Sequence, residues 1–170
     1  MRSRLLLIFL LVVLTGCGAV SSNVSGASPV SSLSEDQGPE LTTPSNYGEL
    51  PEEVHDQGIG VKLHLKQTTF APSAESIPFE IQNSGETSIT FGVGYTIEKF
   101  QHGTWYEYPF KPDVAFILMA LILRPGETHK GSVSVDLLKY LLTDGRYRVV
   151  KKISADGQSR VLAAKFTVSG

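Results

Sequence analysis

The chain carries a single thiol, Cys17, which lies three residues after an apolar run from Leu5 to Leu14. With one cysteine no disulfide can form within the chain, so the sulfur is left for other chemistry. Arg2 and Arg4 precede the run. A bilayer-spanning helix needs about 20 apolar residues, so this shorter run instead fits the hydrophobic region of a secretory signal peptide. We therefore predict export of the chain and modification of this thiol.

The residues around the cysteine define the modification more closely. Leu14-Thr15-Gly16-Cys17 resembles the bacterial lipobox, in which leucine and two small residues precede cysteine. The resemblance implies a signal peptide over 1–16, cleavage after Gly16, and a diacylglycerol with palmitate-type chains on Cys17. Each buried methylene contributes about 0.8 kcal/mol, so two acyl chains anchor far better than one. The expected location is the extracytoplasmic face of the cell membrane. The alternative is an ordinary signal peptide with an incidental cysteine.

Residue types that catalyse reactions or bind metals are present but isolated. The four histidines, His55, His64, His102 and His129, have no ligand neighbours at short spacing. The sequence contains no G-x-S-x-G, H-E-x-x-H or P-loop motif, and acylation of Cys17 would exclude Cys–His catalysis. Asp144-Gly145 and Asp156-Gly157 lack a calcium-ligand series and predict hairpin turns. We predict a protein that is not an enzyme and has no metal or cofactor.

Four aromatic residues form the candidate binding patch. Trp105, Tyr106, Tyr108 and Phe110 lie on a short strand whose two faces both carry rings. Exposed Trp and Tyr offer rigid contact area to a protein or glycan partner. The alternative is that these rings belong to the core and its rim.

The elements that carry these residues follow a long polar segment. Residues 18–57 hold eight Ser, four Pro, seven acidic residues and no Lys or Arg, with Tyr47 as the one aromatic. Such a composition buries too little apolar surface to offset ordering entropy. We predict that 17–57 is the lipidated cysteine and a flexible spacer. The alternative is that Tyr47 to Val54 docks on the domain that follows, residues 58–170, which has the size of a single domain.

Charge in the domain argues against nucleic acid as a partner. Residues 58–170 contain 13 Lys and Arg and 10 Asp and Glu, mostly scattered. The densest group, Arg146, Arg148, Lys151 and Lys152, predicts the solvated face of one strand. The membrane at the lipid anchor is the expected contact.

Apolar periodicity predicts an all-β domain. Val61, Leu63 and Leu65 alternate with polar residues, as in a half-buried strand. Further strands are predicted over Ile77–Gln82, Ile89–Ile97, Trp105–Pro109, Val114–Leu123, Lys130–Val135, Arg146–Ile153 and Val161–Val168. Regular turns between eight short strands favour an antiparallel sandwich. Gly92 and Gly94 predict a bend, and Val135–Leu142 is the only helical candidate.

Gly145 and Tyr147 mark the start of the penultimate strand. Gly-x-Tyr at this place resembles the tyrosine corner of immunoglobulin-type sandwiches, in which the phenol bonds to the chain just upstream. Both residues are therefore expected to be critical for the fold. The alternative for Tyr147 is a plain strand residue.

Four stretches, in this order, carry a family resemblance: Ile77–Asn83, FGVGYTIEKFQHGTWYEYPF, VAFILMALILRPGE and DGRYRVVK. Together they resemble the bacterial immunoglobulin-like domain of lipoproteins in bacilli-type bacteria, over nearly all of 58–170. The resemblance implies an Ig-like antiparallel β-sandwich of about seven or eight strands after a signal peptide and disordered spacer. One departure is the fully apolar stretch before Pro125-Gly126-Glu127, where family members usually keep polar residues.

These observations predict a lipid-anchored extracytoplasmic protein that displays a non-catalytic interaction or accessory domain, with its partner unspecified. The alternative is an extracellular proteinase inhibitor with an Ig-like fold, since some bacterial inhibitors resemble this sandwich. Its reactive loop would be Lys99–Thr104 or Phe110–Asp113. A solute-binding lipoprotein is disfavoured, because one domain of this size lacks a two-lobed cleft.

The apolar run Val114–Leu123 raises a separate question. As a strand it would present two apolar faces, and a sandwich buries only one of them. The outer face could be covered by Val135–Leu142, by a second copy, or by a partner or membrane surface. Uncovered, it would be an exposed patch of the kind that marks an interaction site.

Overall fold

The computed structural model describes residues 38–170, which form two β-sheets packed as a sandwich. The predicted signal peptide, Cys17 and the first part of the predicted spacer lie outside the described residues. The strands are β1 Glu53–Asp56, β2 Ile59–Leu65, β3 Thr69–Phe70, β4 Ser76–Asn83, β5 Ile89–Gly92, β6 Thr96–Gln101, β7 Thr104–Tyr108, β8 Ala120–Leu123, β9 Thr128–Ser134, β10 Gly145–Ala155 and β11 Gln158–Val168. The predicted all-β sandwich is confirmed.

The two sheets differ in size. The small sheet has the order β1-β2-β4-β9. The large sheet has the order β3-β11-β10-β5-β8, and β6 and β7 join it through β10. Thus β5 and β6 both pair with β10, β6 along its first half and β5 along its last residues. Strand β8 is the edge of the large sheet beside β5.

The core lies between the sheets and follows the predicted alternation. Val61 and Leu63 in β2, and Ile77 and Ile81 in β4, are almost fully buried. In the large sheet, Tyr147 occupies the corresponding inward position on β10. Because residues between these positions point outward, each strand supplies one face to the core.

Three predicted elements differ from the structure. The strand predicted over Ile89–Ile97 divides into β5 and β6, and the break contains Gly94, as the glycines indicated. The strand predicted over Val114–Leu123 is a strand only in β8, and residues 114–119 are irregular. The helical candidate Val135–Leu142 contains a single 3₁₀ turn, Val135–Leu137. In an uninterrupted apolar run such as Val114–Leu123, no residue in the sequence marks the point where strand pairing begins or ends.

Residues before the predicted boundary at residue 58 also belong to the domain. Strand β1 pairs with β2, and the segment before it, residues 41–52, crosses the outer face of the large sheet. We call residues 41–52 the strap. Leu41 is buried, and Pro51 accepts a backbone hydrogen bond from Ala163. The spacer prediction is therefore corrected for residues 41–57, and the alternative, docking of Tyr47 to Val54, describes this part of the chain better.

No helix within residues 38–170 has the length and apolar character needed to cross a bilayer.

Candidate interaction surface

The Tyr147 side chain has the geometry of a tyrosine corner. Its hydroxyl donates to the Thr143 carbonyl oxygen at 2.8 Å and accepts from the Thr143 N–H at 3.1 Å. The ring is fully buried and stacks on Phe166. Gly145 lies two residues upstream with φ of 142°, and a Cβ there would come within 3.0 Å of the Lys99 side chain. Both residues thus act in the fold rather than at an exposed site.

One half of the outer face of the large sheet is occupied by a buried ion pair. The Arg148 Nε atom donates to Glu98 Oε2 at 2.6 Å, and their side chains are 0% and 2% exposed. The other guanidinium nitrogens donate to the backbone oxygens of Gly48 and Tyr47, at 2.7 and 3.2 Å. Ser45 Oγ donates to the second Glu98 oxygen at 2.7 Å. The strap therefore supplies most of the polar partners that burial of these charges requires.

This burial corrects the prediction of a solvated basic face on β10. Arg148 lies on the outer face, but the strap removes it from water. Lys151 is 2% exposed, and its Nζ donates at 2.6 Å to the backbone oxygens of both Gly92 and Gly94. Burial lowers the pKa of Lys151 to about 8. Only Arg146 and Lys152 in this group are exposed.

The candidate aromatic patch is largely covered. Trp105 is 5% exposed, its ring packs on the Arg148 guanidinium, and its Nε1 donates to Glu49 in the strap. Tyr108 is buried and donates to the Leu141 carbonyl. Tyr106 and Phe110 are half-buried, and the strap pairs with β7 at Tyr106. We therefore reject Trp105 and Tyr108 as an exposed contact surface; the alternative, core and rim, fits them.

Neither inhibitor loop projects as an extended substrate-like segment. Lys99–Thr104 is the β6–β7 hairpin, and its tight turn is His102-Gly103, both residues with positive φ. In Phe110–Asp113, Phe110 bridges to Leu138 and the Lys111 N–H donates to the Leu137 oxygen. The geometry of both segments is fixed by the domain itself.

The histidines do not converge. His64 lies 3.5 Å from Glu80, and His129 packs its ring edge-on against Phe91. Burial and the nearby charge of Lys151 lower the pKa of His129. Among residues 38–170 no group of three or more potential metal ligands is found.

The other half of the outer face is open and apolar. On this face Thr90 lies between Ser154 of β10 and Ile122 of β8. The short side chains of Thr90 and Ser154, with Gly92 and Ala120, form the floor of a shallow groove. The wall of the groove is the irregular segment before β8.

Four large apolar side chains are exposed around this groove. Ile117, Leu118, Met119 and Ile122 are 68%, 107%, 44% and 66% exposed. Phe116 is half-buried and packs against Tyr95 and Phe110. The Val135–Leu142 segment, one of the three covers considered for the 114–123 run, leaves these four side chains exposed.

Comparison with known families settles the class of the domain. A family model described as bacterial Ig-like domain matches residues 57–167. The chain belongs to this family. The match begins where β1 ends, so the strap precedes the residues by which the Ig-like domain is recognised. Family membership indicates a non-catalytic accessory or interaction module.

No curated protein matches the chain. Among solved structures, the Ig-like chain is similar to the archaellum periplasmic stator protein FlaG from Sulfolobus acidocaldarius, at 14% identity and a TM-score of 0.35, covering 63% of this chain and 98% of that one. It is similar to PapD-like domain 7 of human CEP192, at 12% identity and a TM-score of 0.36, covering 80% of this chain and 96% of that one. It is also similar to a β-glucosidase, EmGH1 from Erythrobacter marinus, at 12% identity and a TM-score of 0.38, and the match covers 65% of this chain and 15% of the enzyme.

Sequence reasoning singled out the 114–123 run but missed the buried pair Arg148–Glu98. The two residues are 50 positions apart, and the strap that covers them is about 100 positions from Arg148. No local pattern marks such a contact. The seven acidic residues of 18–57 favoured the prediction of a flexible spacer, so the strap was not predicted. One of these acidic residues, Glu49, pairs with Lys165 at 2.5 Å.

Proposed function

We propose that this protein is a lipoprotein of the bacterial cell envelope, anchored through diacylglycerol on Cys17, whose Ig-like domain binds a protein partner through the open half of its large sheet. The observation that carries the interaction is the cluster of four exposed apolar side chains in β8 and in the segment just before it. The lipobox-like sequence supports the anchor. The location, on the extracytoplasmic face of the membrane, follows from that anchor.

The choice of surface rests on what each half of the outer face offers. The half with Arg148 is occupied by the strap, so its polar groups are already paired. The open half offers apolar groups whose burial is favourable at about 25 cal/mol per Å². Contiguous apolar patches of several hundred Å² on soluble domains mark contact sites. The partner is therefore expected at the groove rather than at Trp105.

A photo-crosslinking amino acid at Leu118 in the full-length chain tests this on intact cells. Leu141 is the matched control, because it is also a leucine, is 82% exposed and lies outside the groove. We expect a protein adduct from position 118 and none from position 141. Equal adducts from both positions, or none from 118, would refute the proposed surface.

The anchor has its own test. Cys17→Ala removes the only thiol that could carry the lipid, so the variant is expected to accumulate uncut or to leave the membrane fraction. If it still fractionates with the membrane and is cut after Gly16, the anchor is refuted.

A further inference from the structure

Strand β8 is an edge that pairs on one side only. Its register joins Leu123 to Ile89 and Ala120 to Gly92 of β5, and β5 is its sole strand partner among the described residues. The Leu123 carbonyl also accepts from the Asn83 side chain. The side of β8 opposite β5 is a strand edge without a strand partner among the described residues, and such an edge is a template for another strand.

The exposed apolar groups are contiguous with this edge. Ile122 lies within β8, and Ile117, Leu118 and Met119 lead directly into it. Their exposed fractions correspond to roughly 500 Å² of surface, against about 800 Å² per partner in a standard stable complex. With the added backbone edge, this area suits a weak but specific contact.

The free backbone edge decides the chemical class of the occupant. Unpaired N–H and C=O groups are costly to bury in hydrocarbon, because lipid offers them no hydrogen bonds. A β-strand satisfies them and covers the apolar side chains at the same time. The edge therefore favours a polypeptide strand over a membrane surface.

We propose that the occupant is a second copy of this chain, paired antiparallel with β8 about a two-fold axis. Residues 114–123 contain no charged side chain, so two copies can approach without opposing like charges in the strand. An isologous contact of this kind closes at a dimer. This inference rests on the proposed function, because tethering both copies to one membrane raises their local concentration.

Sedimentation equilibrium of the soluble chain from residue 18 tests the pairing over about 10 µM to 1 mM, the range suited to a weak contact. We expect a monomer–dimer equilibrium. Ile122→Lys places a charge on the exposed face of β8 and should weaken dimerisation by about tenfold or more. Leu141→Lys, the matched control, should leave it unchanged.

Amide hydrogen exchange separates strand pairing from other association. The amides of β8 should exchange more slowly at the high concentration than at the low one. A monomer throughout the range, a dimer that survives Ile122→Lys, or β8 amides without added protection would each overturn the inference. If the chain is monomeric and Leu118 crosslinks a different protein on cells, the inference falls and the proposed function stands.

Discussion

Replacing Arg148 with methionine should be among the most damaging single changes in this domain. The variant keeps the apolar length of the side chain but leaves Glu98 buried at 2% exposure, with Ser45 as its remaining hydrogen-bond partner. The backbone oxygens of Tyr47 and Gly48 lose their donor as well. Breaking a buried ion pair by removing one partner typically costs about 3–5 kcal/mol. A domain with about 5–15 kcal/mol of stability would lose a large part of it.

Urea denaturation of the soluble chain from residue 18, followed by circular dichroism, measures this loss. Arg124→Met is the matched control, because Arg124 pairs with Glu127 at 3.7 Å while both side chains are exposed. Such a surface pair contributes about 0–1 kcal/mol. The double variant Arg148→Met/Glu98→Leu removes the stranded charge and should recover much of the loss. Equal effects of Arg148→Met and Arg124→Met, or no recovery in the double variant, would refute the reasoning.

Three further predictions concern stability. Tyr147→Phe removes one donated and one accepted hydrogen bond and should cost about 1–3 kcal/mol, whereas Tyr106→Phe should cost almost nothing; equal denaturation midpoints would show that the corner hydroxyl is dispensable. Deleting the strap, residues 41–52, should lower the melting temperature by several degrees, and deleting residues 18–37 should not. The reverse order in calorimetry would mean that the strap does not stabilise the domain. The pKa of Lys151 in the folded domain is about 8, below its ordinary value of 10.5, so the unfolded chain binds more protons between these two pH values. The free energy of unfolding, relative to that of Lys151→Met, should therefore rise with pH across this window by on the order of 3 kcal/mol. A flat or falling difference between the two proteins would contradict this.

The fold was predictable from sequence because the pattern that identifies each strand lies within a few consecutive residues. In β2 and β4, apolar residues such as Leu63 and Ile81 repeat every second position, and their inward orientation follows directly. The Asp156-Gly157 turn joins β10 and β11, as predicted, with positive φ at both residues. The hairpin turn predicted at Asp144-Gly145 is wrong, because this dipeptide leads into the tyrosine corner and connects no adjacent pair of strands.

The candidate surface was less predictable, because it depends on which faces distant segments cover. Trp105 resembles an exposed contact residue in isolation and is buried only because the strap crosses it. Leu118 resembles a core residue, and it is exposed because the chain stops pairing before β8. Hydrophobicity alone does not distinguish these outcomes, since both depend on contacts made at long sequence separation.

Cysteine accessibility measures the covering of the groove on the cell most directly. The chain has one cysteine, and the proposed acylation removes its thiol, so Leu118→Cys introduces a single reactive group in the mature protein. Maleimide labelling of Leu118→Cys should be about tenfold slower on intact cells than in the dilute soluble chain from residue 18, because access controls thiol reactivity. In both settings Leu141→Cys should be labelled at similar rates. Equal labelling of Leu118→Cys on cells and in dilute solution would contradict the claim that this surface is occupied where the protein functions.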